Sequence, residues 1–295
     1  MEKERITIEE PVKRIDAYLA HRFDEYSRGY FQRQIQQGRV LVNTKPVTPH
    51  QPLKVGDVVE MTFEELARPL IGEDVPVSVV YEDDDILIIN KSVGMVVHPA
   101  CGHWSGTLLN ALVGRSQQHY TPLLVHRLDK DTSGVMIVAK NERAKHSLVA
   151  QFQKRVIKKV YYAIVCGVIH ERRGRIDAPL GRSAQDRKKI EVGPLARKPA
   201  ITEFKVVGRG PGVTLVEAYP LTGRTHQIRS HFAFIGHPVA GDVVYGGAIE
   251  IEGQVFTRHM LHAGSITFTH PAKSKTVTFT VPLPPDMVPY WKPES

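Results

Sequence analysis

Apolar and polar positions along the chain fall into two blocks separated by an aperiodic stretch. In the first block Ile15, Tyr18, Leu19 and Phe23 recur at helical spacing and predict one helix, and Ser27 can cap a second that Gly38 ends. The strand-like Val40-Leu41-Val42, a turn from Asn43 to Pro46 and a second strand from Val58 to Phe63 complete two helices against a small sheet. Pro69, Gly72 and Pro76 then punctuate a segment without period, which reads as a linker between units that move relative to one another. The second block opens with two short strands, Val77 to Tyr81 and Ile86 to Asn90, around an acidic turn, and a short helix from Gly106 to Leu112. Asn141 caps a helix that lines one face with Ala144, Leu148 and Phe152. Strands follow at Val156 to Gly167, Ile201 to Val207 and Val213 to Tyr219. From Arg224 the spacing turns helical, with Ile228, Phe232 and Ile235 as the buried stripe. Ser265 to Thr269 and the alternating Val277, Phe279 and Val281 close the sheet before a Pro-rich tail. The chain therefore divides into residues 1–64, a linker at 65–76, a large domain at 77–285 and a tail at 286–295.

Composition narrows the class of partner. A chain of 295 residues, 42% of them hydrophobic, buries a full core and predicts about two domains. No run approaches the roughly 18 apolar residues of a membrane span, and the charged start MEKERITIEEPVKR lacks an apolar signal core. Two distant cysteines, Cys101 and Cys166, predict reduced thiols in the cytoplasm. A net charge of +8 favours polyanionic partners such as RNA, because neutralising phosphates releases counterions. His226, His231, His237, His259 and His262 do not make a zinc site: no H-E-x-x-H occurs, and His226 and His231 are badly spaced for one helical face. No metal is expected.

Val125 to Gly134 packs four charged groups, a histidine and two hydroxyls between an apolar approach, Leu123 to Val125, and an apolar exit, Val135 to Val138. So dense a polar run between strands reads as a loop presenting side chains at a sheet edge. Asp131, Thr132, Ser133 and Gly134 supply turn chemistry, the hydroxyls bonding their own backbone. Asp129 is left over, either a solvated or ion-paired loop carboxylate or a group with a chemical task. Strand geometry separates two tyrosines. Val160, Tyr162, Ile164 and Cys166 form one apolar row, so Tyr162 belongs to a core and Tyr161 faces the other way. Arg229 sits about 100° from Ile228, at the border of the helical stripe, where its stem packs while its guanidinium reaches a partly buried carboxylate. Residues 170–200 are polar and basic (Arg172, Arg173, Arg175, Arg182, Arg187, Lys188, Lys189, Arg197, Lys198) and form either a hairpin that contacts phosphates or a solvated loop.

Three of these stretches resemble one family. HRLDKDTSG is similar to the loop of the RluA-type pseudouridine synthases that carries the catalytic aspartate, KKVYYAIVCG to their K-x-Y-x-A segment, and LTGRTHQIRSHFAFIGHPVAGDVVYG to their GRTHQIR-x-H segment. The likeness covers about residues 77 to 283, in the family's order. The first block resembles the small RNA-binding domain named after ribosomal protein S-four, with Thr44 where that family usually has Gly in the hairpin. The resemblance implies an α+β fold: a mixed, mainly antiparallel sheet with flanking helices and loops, plus a small α/β RNA-binding domain.

What the resemblance implies chemically is an RNA-modifying isomerase that turns uridine into pseudouridine. Such an isomerisation needs no cofactor, and neither a P-loop nor a dinucleotide fingerprint is present. Asp129 is the catalytic carboxylate, acting as nucleophile or as base in a glycal-type route. Arg229 beside it favours its charged form. Tyr161 stacks on the uracil and offers a hydroxyl as proton acceptor from carbon 5. Arg127 fills the space of the extracted base, and His126, Thr132 and Leu261 join it as substrate contacts, Leu261 as an apolar wall. Arg28, Arg33, Arg39 and Lys45 of the small domain are expected to bind RNA. Ribosomal RNA of the large subunit is the favoured substrate and transfer RNA the other candidate; the chain is expected to act as a monomer, without a protein partner or membrane. Two other readings stand beside it. A catalytically silent ribosome-assembly factor on the same scaffold is opposed by the intact Asp129, Tyr161 and Arg229. A carboxylate glycosidase would want a second catalytic carboxylate that no motif supplies.

Overall fold

Strand β1 (Lys3–Thr7), helices α1 (Ile15–Arg22) and α2 (Arg28–Gln36), and strands β2 (Val40–Val42), β3 (Lys45–Pro46) and β4 (Val58–Thr62) make up the first unit, Met1–Leu70, of the computed structural model. The structure describes residues 3–23, 26, 28–62, 70–99, 104–183, 189–193, 198–290 and 292. The helices pack Ile15, Leu19, Phe31 and Ile35 against Val40, Val59 and Met61 of an antiparallel sheet ordered β1-β4-β2-β3. Periodicity alone missed β1. Gly38, at φ +72°, ends α2 as expected, whereas Ser27 lies outside the described residues. The β2–β3 hairpin keeps two left-handed residues, Asn43 (φ 51°) and Thr44 (φ 66°), although threonine stands where glycine would be easier. Asn43 holds the turn with its side chain: Nδ2 donates to Asp57 Oδ1 at 2.8 Å and Oδ1 accepts from the Val58 backbone amide at 2.9 Å.

The second unit, Ile71–Ser295, runs through β5 (Ser78–Glu82), β6 (Ile86–Lys91), α3 (Leu108–Ser116), β7 (Leu123–Leu124), β8 (Ser133–Ala139) and α4 (Glu142–Gln153). It continues through β9 (Lys158–Cys166), β10 (Arg173–Asp177), β11 (Leu180–Arg182), β12 (Ile190–Val192), β13 (Ile201–Gly210), β14 (Val213–Pro220) and α5 (Gln227–Phe234). It ends with β15 (Glu250–Ile251), β16 (Gln254–Val255), β17 (Leu261–Thr269) and β18 (Thr276–Thr280). The main sheet is ordered β10-β13-β14-β9-β17-β8-β6-β5, with β18 on β17 and β7 on β8. Every pair is antiparallel except β17 with β8, so the sheet is mixed and mainly antiparallel, as the resemblance implied. β6 and β8 are apolar on both faces because each side is covered. One core gathers β6, β8, α3 and α4; a second gathers β9, β13, β14 and α5; Tyr161 packs against both.

Several boundaries differ from those read in the sequence, each for a tertiary reason. Of the expected linker at 65–76, residues 65–69 lie outside the described residues, and residues 71–73 are tied to α3: the Asn110 side chain donates to the Ile71 carbonyl at 2.9 Å and the Glu73 amide to the Asn110 carbonyl at 3.0 Å. Gly72 and Gly114 permit that approach, since a Cβ on Gly72 would lie 2.7 Å from the Gly114 nitrogen. Asn110 also closes a capping box with Thr107 that starts α3 at Leu108, and the helix runs on to Ser116 rather than ending at Leu112. Of the expected tail, residues 291 and 293–295 lie outside the described residues, and its start is anchored: Met287 is fully buried and Asp286 pairs with Arg258. α5 starts at Gln227, not Arg224, because His226 adopts φ 53° and the Gln227 side chain binds back to Thr222 and Arg224. The polar hairpin of residues 170–200 does contain paired strands, β11 with β12, while Arg187, Lys188 and Arg197 lie outside the described residues.

Gly134 is where β8 meets the central strand. Its φ is +121°, and a Cβ there would lie 2.2 Å from the Ala263 carbonyl oxygen. Gly134→Ala is expected to lose about 3 kcal/mol or more of stability, since both the backbone strain and the collision fall on main-chain atoms. Urea unfolding of the variant measures this, and an unchanged midpoint would contradict it.

Candidate active site

The polar loop between β7 and β8 opens onto a cavity of about 490 Å³ between the two cores of the second unit. Its size suits a nucleotide-sized group. Asp129, Tyr161, Arg229, Arg127, His126, Thr132 and Leu261 all line it, so the structure brings together every cavity residue singled out in the sequence. Pairing of β9 with β14 and β17 sets Tyr161 opposite Ala218 and Ala263, with Leu261 opposite Ala163.

Arg229 is the centre of the charge arrangement. It is buried on α5, and its Nη1 donates to Asp129 Oδ2 at 2.9 Å. Its Nε and Nη2 donate to the two oxygens of Asp242 at 2.6 and 2.9 Å, a fork-to-fork pair that sequence reading missed. The guanidinium also lies 5.1 Å from the centre of the Tyr245 ring. Burial opposes its charge, yet the carboxylates of Asp242 and Asp129 outweigh that and raise Arg229 above its ordinary value. One oxygen of Asp129 is thereby fixed, and the other lies 3.8 Å from His226 Nε2. Tyr245 orients that imidazole: its hydroxyl accepts from the Ile190 amide and pairs with His226 Nδ1, both at 3.0 Å. With the phenol donating to Nδ1, the ring proton sits on Nε2 and points toward Asp129.

The loop backbone is held by two buried cations. Lys91 Nζ donates to the carbonyls of Ser92, Met95 and Lys130 at 2.8, 2.9 and 2.9 Å. Arg258 Nη1 donates to the carbonyls of Asp131, His259 and Leu261 at 3.0, 2.9 and 3.0 Å, while its other nitrogens hold Asp286. The hydroxyls expected to serve the local turn are used elsewhere. Thr132 Oγ1 pairs with His259 Nε2 and Ser133 Oγ with His262 Nδ1, both at 2.8 Å, and Ser133 and Gly134 already belong to β8. The turn closes instead from the Thr132 amide to the Asp129 carbonyl, which frees the Asp129 carboxylate for the cavity.

Two residues assigned to substrate contact carry structural duties. His126 Nε2 accepts from the Ile137 amide at 2.9 Å, and its ring lies 5.1 Å from that of Phe152. Burial first, then the charge of Lys159, pushes His126 down to about 3, so the ring is neutral and braces the loop. Thr132 is buried and engaged by His259. Tyr161 does face the cavity, and burial together with the charge of Asp129 raises its phenol above the ordinary range. It therefore stays protonated, which favours a contact surface over the proton acceptor considered from sequence. Arg127 is exposed at the mouth with Arg155.

In the small unit, Arg28 reaches across to α1 while its side chain stays 47% exposed. With Arg14 and Gln32 it binds the fully buried Asp16, at 3.0 Å from Arg28 Nε, and although burial opposes it these donors hold the Asp16 carboxyl below the usual carboxylate range. Arg28 thus ties α2 to α1, a structural duty beside the RNA contact expected of it. Arg33 and Lys45 remain exposed, and Arg39 is half-buried beside Gln34.

Comparison with known proteins agrees with this geometry. Residues 85–234 match the family model for RNA pseudouridylate synthase and residues 13–59 that for the S4 domain. The chain is 42% identical over 286 residues to an uncharacterized RNA pseudouridine synthase of Bacillus subtilis, covering 95% of this chain and 93% of that one. It is 39% identical over 287 residues to ribosomal large subunit pseudouridine synthase D of Neisseria meningitidis, covering 93% and 76%. Among solved structures, human RNA pseudouridylate synthase domain containing 1 superposes with a TM-score of 0.61 at 31% identity, over 76% of this chain and 91% of that one.

Burial sets a pH dependence. His259 and His262 are each lowered to about 4, first by burial and then by the neighbouring Arg229 and Arg258 respectively. Unfolding returns both toward about 6.5. The unfolded chain then binds protons that the folded one refuses, so stability is full above pH 6.5 and is lost as pH falls toward 4. Between pH 7.5 and 5 the urea midpoint is expected to fall, with each histidine contributing about 1–2 kcal/mol. A midpoint that stays constant over that interval would contradict the neutral assignment.

Proposed function

The chain belongs to the RNA pseudouridylate synthase family and is an isomerase of RNA uridines; from that premise we propose that Asp129 is its catalytic carboxylate. The observation that carries this is the ion pair of Asp129 with a buried arginine, inside a cavity walled by Tyr161 and Leu261.

A target uridine leaves its stack at a cost of a few kcal/mol, and Arg127 at the cavity mouth fills the space it vacates. The base enters against Tyr161, whose contact contributes about 1–3 kcal/mol by analogy with other aromatic platforms. Asp129, charged and fixed by Arg229, meets the ribose side of the glycosidic bond, as nucleophile at the anomeric carbon or as base toward the neighbouring ribose proton. The bond from ribose to nitrogen 1 breaks, the base turns within the cavity, and a bond to carbon 5 replaces it. Atoms are conserved throughout, so no redox partner is required.

The S4 domain supplies a second contact with RNA through Arg28, Arg33, Arg39 and Lys45. The name of the Neisseria relative supports ribosomal RNA of the large subunit as the substrate. We assign the protein to the cytoplasm as a monomer working on that RNA; no helix among the described residues is long and apolar enough to cross a membrane. The site retains the groups that chemistry needs, which favours an active enzyme over a silent assembly factor.

Asp129→Asn is expected to lower pseudouridine formation by about 10³-fold or more, with RNA affinity within about threefold of wild type. Carbodiimide labelling of the RNA product measures it. A variant with normal turnover would remove the assignment, and release of free uracil by the wild type would restore the glycosidase reading.

A further inference from the structure

The cavity contains an inner cation that the steps above leave unused. Lys159 stands two residues before Tyr161 on β9, so both side chains share the strand face that looks into the cavity. Arg229 is engaged by Asp242 and Asp129, Arg224 donates to the Pro199 carbonyl, and Arg127 and Arg155 are exposed at the mouth. Lys159 is partly buried, and among the described residues no carboxylate pairs with it. Desolvation alone lowers its ammonium to about 8, which still leaves most molecules charged at neutral pH. Its surroundings add no negative charge: the His126 ring is neutral, and Gly223 presents so little bulk that a Cβ there would be 3.8 Å from Lys159 Nζ. A charge withdrawn from water without a partner is costly unless a ligand supplies the opposite sign.

We propose that Lys159 contacts a carbonyl oxygen of the substrate uracil and neutralises the negative charge the base acquires as its bond to ribose breaks. This rests on the pseudouridine reading of the cavity and assigns the leaving-group side of the reaction, as Asp129 serves the sugar side. When the bond between C1′ and N1 breaks, its electron pair departs with the base, which becomes a monoanion with charge spread over N1, O2 and O4. Reattachment uses that charge: a pair at C5 forms the bond to C1′ as the C1′–O bond to Asp129 breaks or, by the glycal route, as C2′ regains its proton from Asp129; the C5 proton leaves, and N1 takes up a proton. An ammonium at O2 or O4 lowers the barrier to departure and is relieved of its own unpaired state at the same moment.

The test compares Lys159→Met with wild type in single turnover on one RNA carrying either uridine or 5-fluorouridine at the target. Fluorine stabilises the base anion intrinsically, so a group whose task is to stabilise that anion matters less. Because fluorine bars loss of a C5 proton, the readout for both RNAs is disappearance of the starting nucleoside after nuclease digestion. The variant is expected to lose about 100-fold or more on uridine, and at least about tenfold less than that on 5-fluorouridine. Lys159→Gln, uncharged but polar, is expected to show the same base-dependent loss, and RNA affinity and the thermal midpoint report that both variants are folded. An equal loss on both bases would assign Lys159 to packing and overturn the proposal, as would turnover within about twofold of wild type. A wild-type protein that converted neither base would instead remove the pseudouridine reading, so the two failures are told apart.

Discussion

The second unit depends on a single buried guanidinium shared by two carboxylates. Arg229 is bidentate to Asp242 and reaches Asp129 with its remaining outer nitrogen. Taking such charges out of water costs several kcal/mol per ion, and removing one partner of a buried pair leaves the others uncompensated. Two carboxylates around one arginine leave a net negative charge, and it resides on the partly exposed Asp129 because Asp242 is the more buried and fully engaged. The arrangement stores a fixed anion at the edge of a cavity, which a carboxylate on a free loop would not provide. Chain segments distant in sequence meet here: Asp129 precedes β8, Arg229 lies on α5 and Asp242 follows it.

Around that triad three histidines add no charge at neutral pH. His126, His259 and His262 are held neutral by burial. Lys91 and Arg258 spend their donors on main-chain carbonyls of the loop, which fixes where the Asp129 backbone starts. His226 and Tyr245 link the second oxygen of Asp129 to the hairpin strand β12 through the Ile190 amide. The cations left for substrate are therefore the exposed ones at the mouth, Arg127 and Arg155, and the inner Lys159. A negatively charged ligand meets positive charge at the rim, then an anion and a cation on different walls within.

The extent to which this was legible in sequence follows from where each constraint is encoded. Tyr161 was readable from strand alternation and the Asp129 loop from a polar run between apolar ones, both acting within a few residues, whereas the task of Asp129 came from the family resemblance. Arg229 was readable from its position on the helical stripe, but its partner was only half identified. Asp242 lies in a loop without periodicity, and what marks it is its appearance, buried, against α5. Lys91 closes an apolar strand; a lysine there signals an ammonium that needs carbonyls, although the pattern does not say whose. Thr132 and Ser133 look like turn residues in any local reading, yet their hydroxyls are taken by histidines 127 and 129 residues away. Arg28 has a second duty that no local pattern shows, since its half-exposed guanidinium also binds the buried Asp16. The residues at 71–76 and the C-terminal segment looked loose because their anchors, Asn110 and Arg258, lie in other elements.

If Asp129 works because Asp242 holds Arg229 against it, Asp242→Asn isolates that dependence, since the substitution leaves the cavity walls untouched. Single-turnover conversion of a uridine-containing RNA is the measurement, with RNA affinity determined on the same preparation. The chemical step is predicted to slow by about 100-fold or more while affinity stays within about threefold. Conversion at the wild-type rate by a folded Asp242→Asn protein would contradict it.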